Sequence, residues 1–280
     1  MKRRVVAVSR FAVPFFFGLT IPFSVLAQDV PAIPDFSGFW GHGVDQIVFS
    51  PIAGNSTSPV IDVLNMECTP ECPRRPPGQA FIGDHTNPNL TEAGAAAVKA
   101  MADRWRSGEI VNVATELCAP SGVPHVVTLF GLVQFLQAPD HVTILYERDH
   151  QTRRVYLNQK HSDYPHVDWY GESVGHYEGD TLVVDTIGLD DRPLIDRFGV
   201  PQTAHTRVVE RYRVSDDGHS LIAHVTVEDP SMFRNAWSGT VLYSRRPNVT
   251  EIEEIRCAEN NRSIETGGDY PITVATSFDF

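Results

Sequence analysis

The sequence predicts a mainly β protein: an antiparallel meander closing into a barrel, with one N-terminal helix and an irregular N-terminal segment. Three observations carry this. After Cys118 the chain runs as short alternating stretches separated by turn residues, the period of half-buried strands. No long helical stretch interrupts the succession. A run of hairpins also leaves an unpaired edge unless the sheet closes on itself.

The elements follow in order. Residues 1–27 open with Met1-Lys2-Arg3-Arg4 and continue into an apolar run broken by Pro14, Gly18 and Pro22, ending Val25-Leu26-Ala27. That is the shape of a cleavable signal peptide, with cleavage expected after Ala27; the run is short for a membrane span. Residues 28–118 read as an irregular segment rich in Pro, Gly, Ser and Asn, with short strands at Ser37–Trp40 and Val60–Leu64. Within it a helix is expected over about 91–106, capped by Thr91. Residues 119–262 are expected to form the barrel, from strands at Leu132–Gln137, Val142–Glu147, Arg153–Leu157, Gly171–Tyr177, Thr181–Ile187, Arg207–Val214, Leu221–Val227 and Ser238–Ser244. Glu178-Gly179-Asp180 reads as a hairpin turn. Residues 263–280 are a C-terminal tail.

Charge narrows the function classes. The 280-residue chain carries a formal charge of −12. Loss of the leader, with its four basic residues and no acid, takes it to −16. Nucleic-acid binding rests on clustered Lys and Arg neutralising phosphate, so it is disfavoured, as is an anionic membrane surface. Export to the periplasm or beyond permits disulfides. Among the pairings of Cys68, Cys72, Cys118 and Cys257, the expected ones are Cys68–Cys72, which is local, and Cys118–Cys257, which clips the chain's end to its middle.

Two resemblances follow. Gly38-Phe39-Trp40 ahead of the meander resembles the Gly-x-Trp opening of lipocalin-like barrels, which implies that Trp40 plugs one end and that Arg245-Arg246 supplies a basic residue against it. Over roughly residues 34–261, the segments PDFSGFW, LTEAG, ELCAPSGVP, ILYERDHQTRRVYL, GESVGHYEGDTLVVDTIGL, VVERYRV, VEDP and IRCAEN resemble a family of secreted bacterial proteins of unassigned function. That resemblance implies no reaction.

Candidate chemistry gathers in residues 146–176, where His150, His161, His166 and His176 lie among acids and aromatics. Imidazole suits proton transfer and metal ligation near neutral pH. His161 ranks first, in a loop between strands. Alternation along Arg207–Val214 puts Glu210 with Val208, Tyr212 and Val214 on the apolar face. A carboxylate there needs a cation, Arg154 or Arg192, or acts as a base with its pKa raised by burial. Glu147 points ambiguously, and His205 opens the strand that bears Glu210.

The sequence carries no Gly-x-Ser-x-Gly elbow, phosphate-cradling loop, dinucleotide fingerprint or His-Glu-x-x-His helix. The expectation is therefore a secreted, cofactor-independent lyase, isomerase or hydrolase acting on a small organic or sugar-derived substrate. His161, Glu210, Glu147, Arg154 and His205 would be its catalytic set, and Tyr146, Trp169, Tyr170, Ser173 and Tyr212 its substrate contacts. One alternative is a binding protein for a small hydrophobic or aromatic ligand. Another is a metal enzyme ligated through three of His150, His161, His166, His176 and His205.

Overall fold

A computed structural model describes residues 33–42, 49–52, 83–107, 118–148 and 151–254. The leader, the strand expected at Val60–Leu64, Cys68, Cys72, Cys257, His150 and the C-terminal tail lie outside the described residues. Cys118 is disulfide-bonded; its expected partner, Cys257, is among those not described.

The strands are β1 (Phe39–His42), β2 (Ser50–Pro51), β3 (Gly131–Gln137), β4 (His141–Tyr146), β5 (Gln151–Leu157), β6 (Glu172–Glu178), β7 (Thr181–Ile187), β8 (Arg207–Val214), β9 (Ser220–Glu228) and β10 (Trp237–Arg245). The helix α1 spans Glu92–Arg106, and a short 3-10 turn spans His125–Thr128. The order β1-β3-β4-β5-β6-β7-β8-β9-β10 closes through a β1–β10 pairing, and β2 adds to β10. The protein is a closed nine-stranded barrel.

One pairing departs from a pure antiparallel meander: β5 and β6 run parallel, Val155 opposite Ser173 and Leu157 opposite Gly175. Closure requires it. Strand direction reverses at every antiparallel pairing, and a ring must contain an even number of reversals, so a nine-membered ring needs a parallel contact. Residues 158–171 must therefore travel the barrel's length on its outside before β6 begins.

The register sorts the loops between two ends. The turns β3–β4, β6–β7 and β8–β9 lie at one end with the C-terminus of β10. There Trp40 is fully buried, donates Nε1 to Phe36 O at 2.9 Å, and carries the Arg245 guanidinium 4.1 Å from its ring centroid. Arg245 also donates to Ser37 O and Gly218 O, both at 2.8 Å. This is the plug that the Gly-x-Trp opening implies. Gly38 is required in it, with φ +95° and Arg245 Nη1 3.1 Å from where a Cβ would stand.

The opposite end receives residues 118–130, 188–206 and 229–236, together with α1. Thr91 caps α1 by accepting from Gly94 N at 2.9 Å. The helix is fastened to the 229–236 loop by Thr91 N donating to Met232 O at 3.0 Å and by the Leu90–Phe233 bridge. Residues 121–128 are buried throughout and fold into this mouth, where Tyr243, pointing inward from β10, donates its hydroxyl to Val127 O.

Inward positions form one core of mostly branched and aromatic side chains, among them Trp40, Phe135, Ile144, Leu182, Val208, Val225 and Tyr243. Burying each such side chain contributes about 1.5–3 kcal/mol.

Candidate functional site

The polar centre of the barrel is built by alternation. On β5 the inward residues are Arg153, Val155 and Leu157; on β8 they are Val208, Glu210 and Tyr212. Ser173 on β6, Thr186 on β7 and Tyr146 on β4 face the same interior.

Arg153 donates from Nη1 to Glu210 Oε1 at 2.9 Å and from Nη2 to Glu210 Oε2 at 2.5 Å. It also donates from Nη2 to Thr186 Oγ1 at 2.5 Å and from Nε to Ser173 Oγ at 3.0 Å. Tyr212 donates to Glu210 Oε1 at 2.8 Å, and the Ser173 and Thr186 hydroxyls stand 3.0 Å apart. Both charged side chains are shut from solvent, 1% and 0% exposed. Burial alone would lower the Arg153 pKa, but the charge and hydrogen bonds of Glu210 outweigh it and hold the guanidinium above its usual value. The expectation that Glu210 points with the apolar set and takes a cation matches this geometry. That cation is Arg153, not Arg154 or Arg192.

Three tyrosines surround the pair. Burial, followed by the charge of Glu210, raises Tyr212 well above its ordinary value; in Tyr243 burial leads as well. Burial pushes Tyr146 up to about 12. All three phenols stay protonated near neutral pH. Tyr212 and Tyr243 spend their protons on Glu210 and Val127 O. Tyr146 Oη lies beside Arg153 and Tyr212 yet meets no partner at hydrogen-bonding geometry. Its ring stacks on Tyr170 with centroids 6.5 Å apart.

A second cluster occupies the outer wall. His161, on the 158–171 crossover, sets Nδ1 3.0 Å from Glu172 Oε1 and Nε2 3.6 Å from Asp185 Oδ2. Arg207 grips Asp185 with two bonds, at 2.9 and 2.8 Å, and reaches Glu228 at 3.3 Å. Burial raises the Asp185 pKa, but the Arg207 hydrogen bond and charge carry it below its ordinary value. Glu172 and Asp185 alternate with inward Ser173 and Thr186, so the strand wall separates His161 from Glu210.

The remaining candidates are dispersed. Arg154 points outward on β5, and His205 is exposed. Glu147 is buried and accepts from Leu132 N at 2.8 Å, which pins the start of β3. Trp169 lies under the Arg192 guanidinium at 4.5 Å. His166 is exposed, and the exposed His176 contacts Glu178 at 2.9 Å. Among the described residues no three of His, Cys, Asp or Glu are grouped to hold a metal ion. The expected catalytic set is thus spread over both faces of the wall. Arg153, Thr186 and Tyr243, absent from that set, belong to the interior cluster.

The fold and its interior define a closed β-barrel protein with a buried Arg–Glu–Tyr centre. No family model matches the sequence, and no curated protein does. Among solved structures, the "REP1-NXSQ fatty acid transporter" is 12% identical over 43% of this chain and 73% of its own, with a TM-score of 0.28. A fatty acid-binding protein from brain tissue of Drosophila melanogaster is 14% identical over 41% of this chain and 72% of its own, with a TM-score of 0.25. No residue role is carried over from either.

Proposed function

We propose that this chain is a binding protein for a small hydrophobic or aromatic molecule, held inside the barrel beside Tyr146 and Tyr212. The observation that carries the reading is Tyr146 Oη, a buried hydroxyl beside Arg153 and Tyr212 that meets no partner at hydrogen-bonding geometry. An unmatched polar group in such surroundings costs about 1–3 kcal/mol, which a ligand oxygen would recover. Glu210 is fully engaged by Arg153 and Tyr212 and is not free to act as a base. Entry is at the loop end, past the His125–Thr128 turn. Native mass spectrometry of protein purified without denaturation tests this. A co-purified small molecule that is returned unconverted supports it, as does saturable uptake of the neutral dye Nile red. Protein free of ligand that takes up neither the dye nor long-chain probes overturns it.

A second reading keeps acid–base catalysis, moved to the outer wall, because Glu172 fixes His161 by its Nδ1. Conversion of a bound molecule that stops with His161→Gln would favour it over simple binding. Export, and with it the Cys68–Cys72 and Cys118–Cys257 pairing, is part of the same proposal. Amino-terminal sequencing of the mature protein should begin at Gln28.

A further inference from the structure

We propose that the ligand of the barrel is electrically neutral, an apolar molecule bearing one hydroxyl or carbonyl oxygen that Tyr146 takes, and that carboxylates are rejected. This rests on the ligand-binding reading and adds the ligand's class.

Arg153 is the interior cation that would receive an anion, and Glu210 already balances its charge. Four donated hydrogen bonds go to Glu210, Thr186 and Ser173, and two of them run in parallel to the two carboxylate oxygens. The pair carries no net charge. A ligand carboxylate placed here would meet a cation whose charge Glu210 already balances, and it would lose its water without gaining an unpaired positive charge. Discrimination thus comes from the anion already resident in the wall.

Tyr146 offers the opposite terms. Its residue is 3% exposed, its hydroxyl lies beside Arg153 and Tyr212 but meets no partner at hydrogen-bonding geometry, and its ring is held against Tyr170. Because burial keeps the phenol protonated, it can donate to a carbonyl or hydroxyl oxygen and accept from a hydroxyl. Neither exchange needs a charge.

Isothermal titration of the full chain at neutral pH with decanol, decanoate and decane tests the inference. Decanol should bind at least about tenfold more tightly than decanoate, and Tyr146→Phe should weaken decanol about tenfold while leaving decane unchanged. Glu210→Gln, by uncovering the guanidinium, should reverse the order in favour of decanoate. If that variant fails to fold, Tyr146→Phe decides alone: unchanged decanol affinity overturns the proposal. Decanoate binding as tightly as decanol to the unaltered chain also overturns it, and leaves the ligand-binding reading standing. Failure of all three probes to bind removes both.

Discussion

Arg153 and Glu210 meet in two parallel hydrogen bonds at the centre of the barrel, from strands β5 and β8 that are not neighbours in the sheet. Removing one member strands the other charge in the interior. Glu210→Leu is expected to lower stability by about 3–5 kcal/mol, and Arg153→Met by a similar amount. The double replacement Arg153→Met with Glu210→Leu should cost far less than the sum of the singles, because no uncompensated charge remains. Urea denaturation of the four proteins measures the cycle. Additive single effects would mean that the pair is not coupled.

Gly94 reverses a familiar rule. Ala normally stabilises a helix over Gly by about 1 kcal/mol. Here a Cβ at Gly94 would stand 2.2 Å from Met232 O, a backbone atom, so α1 and the 229–236 loop would have to separate. Gly94→Ala should lower the melting temperature. Ala96→Gly, at an exposed helical site, should lower it only by the propensity cost of about 1 kcal/mol. A Gly94→Ala protein as stable as the parent would contradict the contact.

Local periodicity made much of this legible. Val208, Glu210 and Tyr212 share a face because strand residues alternate, and α1 runs from its Thr91 cap over nearly the expected residues. The same alternation places Arg153 with Val155 and Leu157, so its inward direction was available in the sequence. Its pairing with Glu210 was not, since that depends on which strands lie across the interior from each other. The parallel β5–β6 contact follows from the number of strands in the ring, a property of the whole chain. His161 was separated from Glu210 for the same reason: where a crossover lands on the wall is set by long-range closure, while composition shows only that it is rich in histidine.

Two buried groups at the loop end give opposing pH dependence. Asp196 is 1% exposed; burial raises its carboxyl from 3.8 to about 7, against the lowering effect of amide hydrogen bonds from Phe198 and Val200. The folded state therefore holds a proton that the unfolded chain has lost, and stability falls as pH rises from about 4 to about 7. The ionisation penalty has an upper limit of about 4 kcal/mol. His125 does the reverse. Burial, then repulsion by Arg197 and Arg148, lowers it from 6.5 to about 4, so stability falls as pH drops through that interval. The two slopes oppose each other in mild acid. Asp196→Asn should raise the melting temperature at pH values above about 7 and uncover the His125 decline below about 6.5. A variant whose stability stays parallel to the parent's across that range would contradict the assignment.

The Tyr243 hydroxyl ties the His125–Thr128 turn into the barrel mouth through Val127 O. Tyr243→Phe keeps the ring, which packs 5.1 Å from His42, and removes only that tie. The loss leaves a buried carbonyl one donor short, a cost of about 1–3 kcal/mol that falls on local opening of the turn. Amide exchange over residues 123–129 should accelerate, with little change in the β8 and β9 amides. If a ligand enters by this mouth, stopped-flow uptake of Nile red should quicken in step with that exchange. Faster exchange without faster uptake would place the entrance elsewhere on the barrel, whereas unchanged exchange would show that the turn is held by the packing of Val123, Val126 and Val127 rather than by the tyrosine.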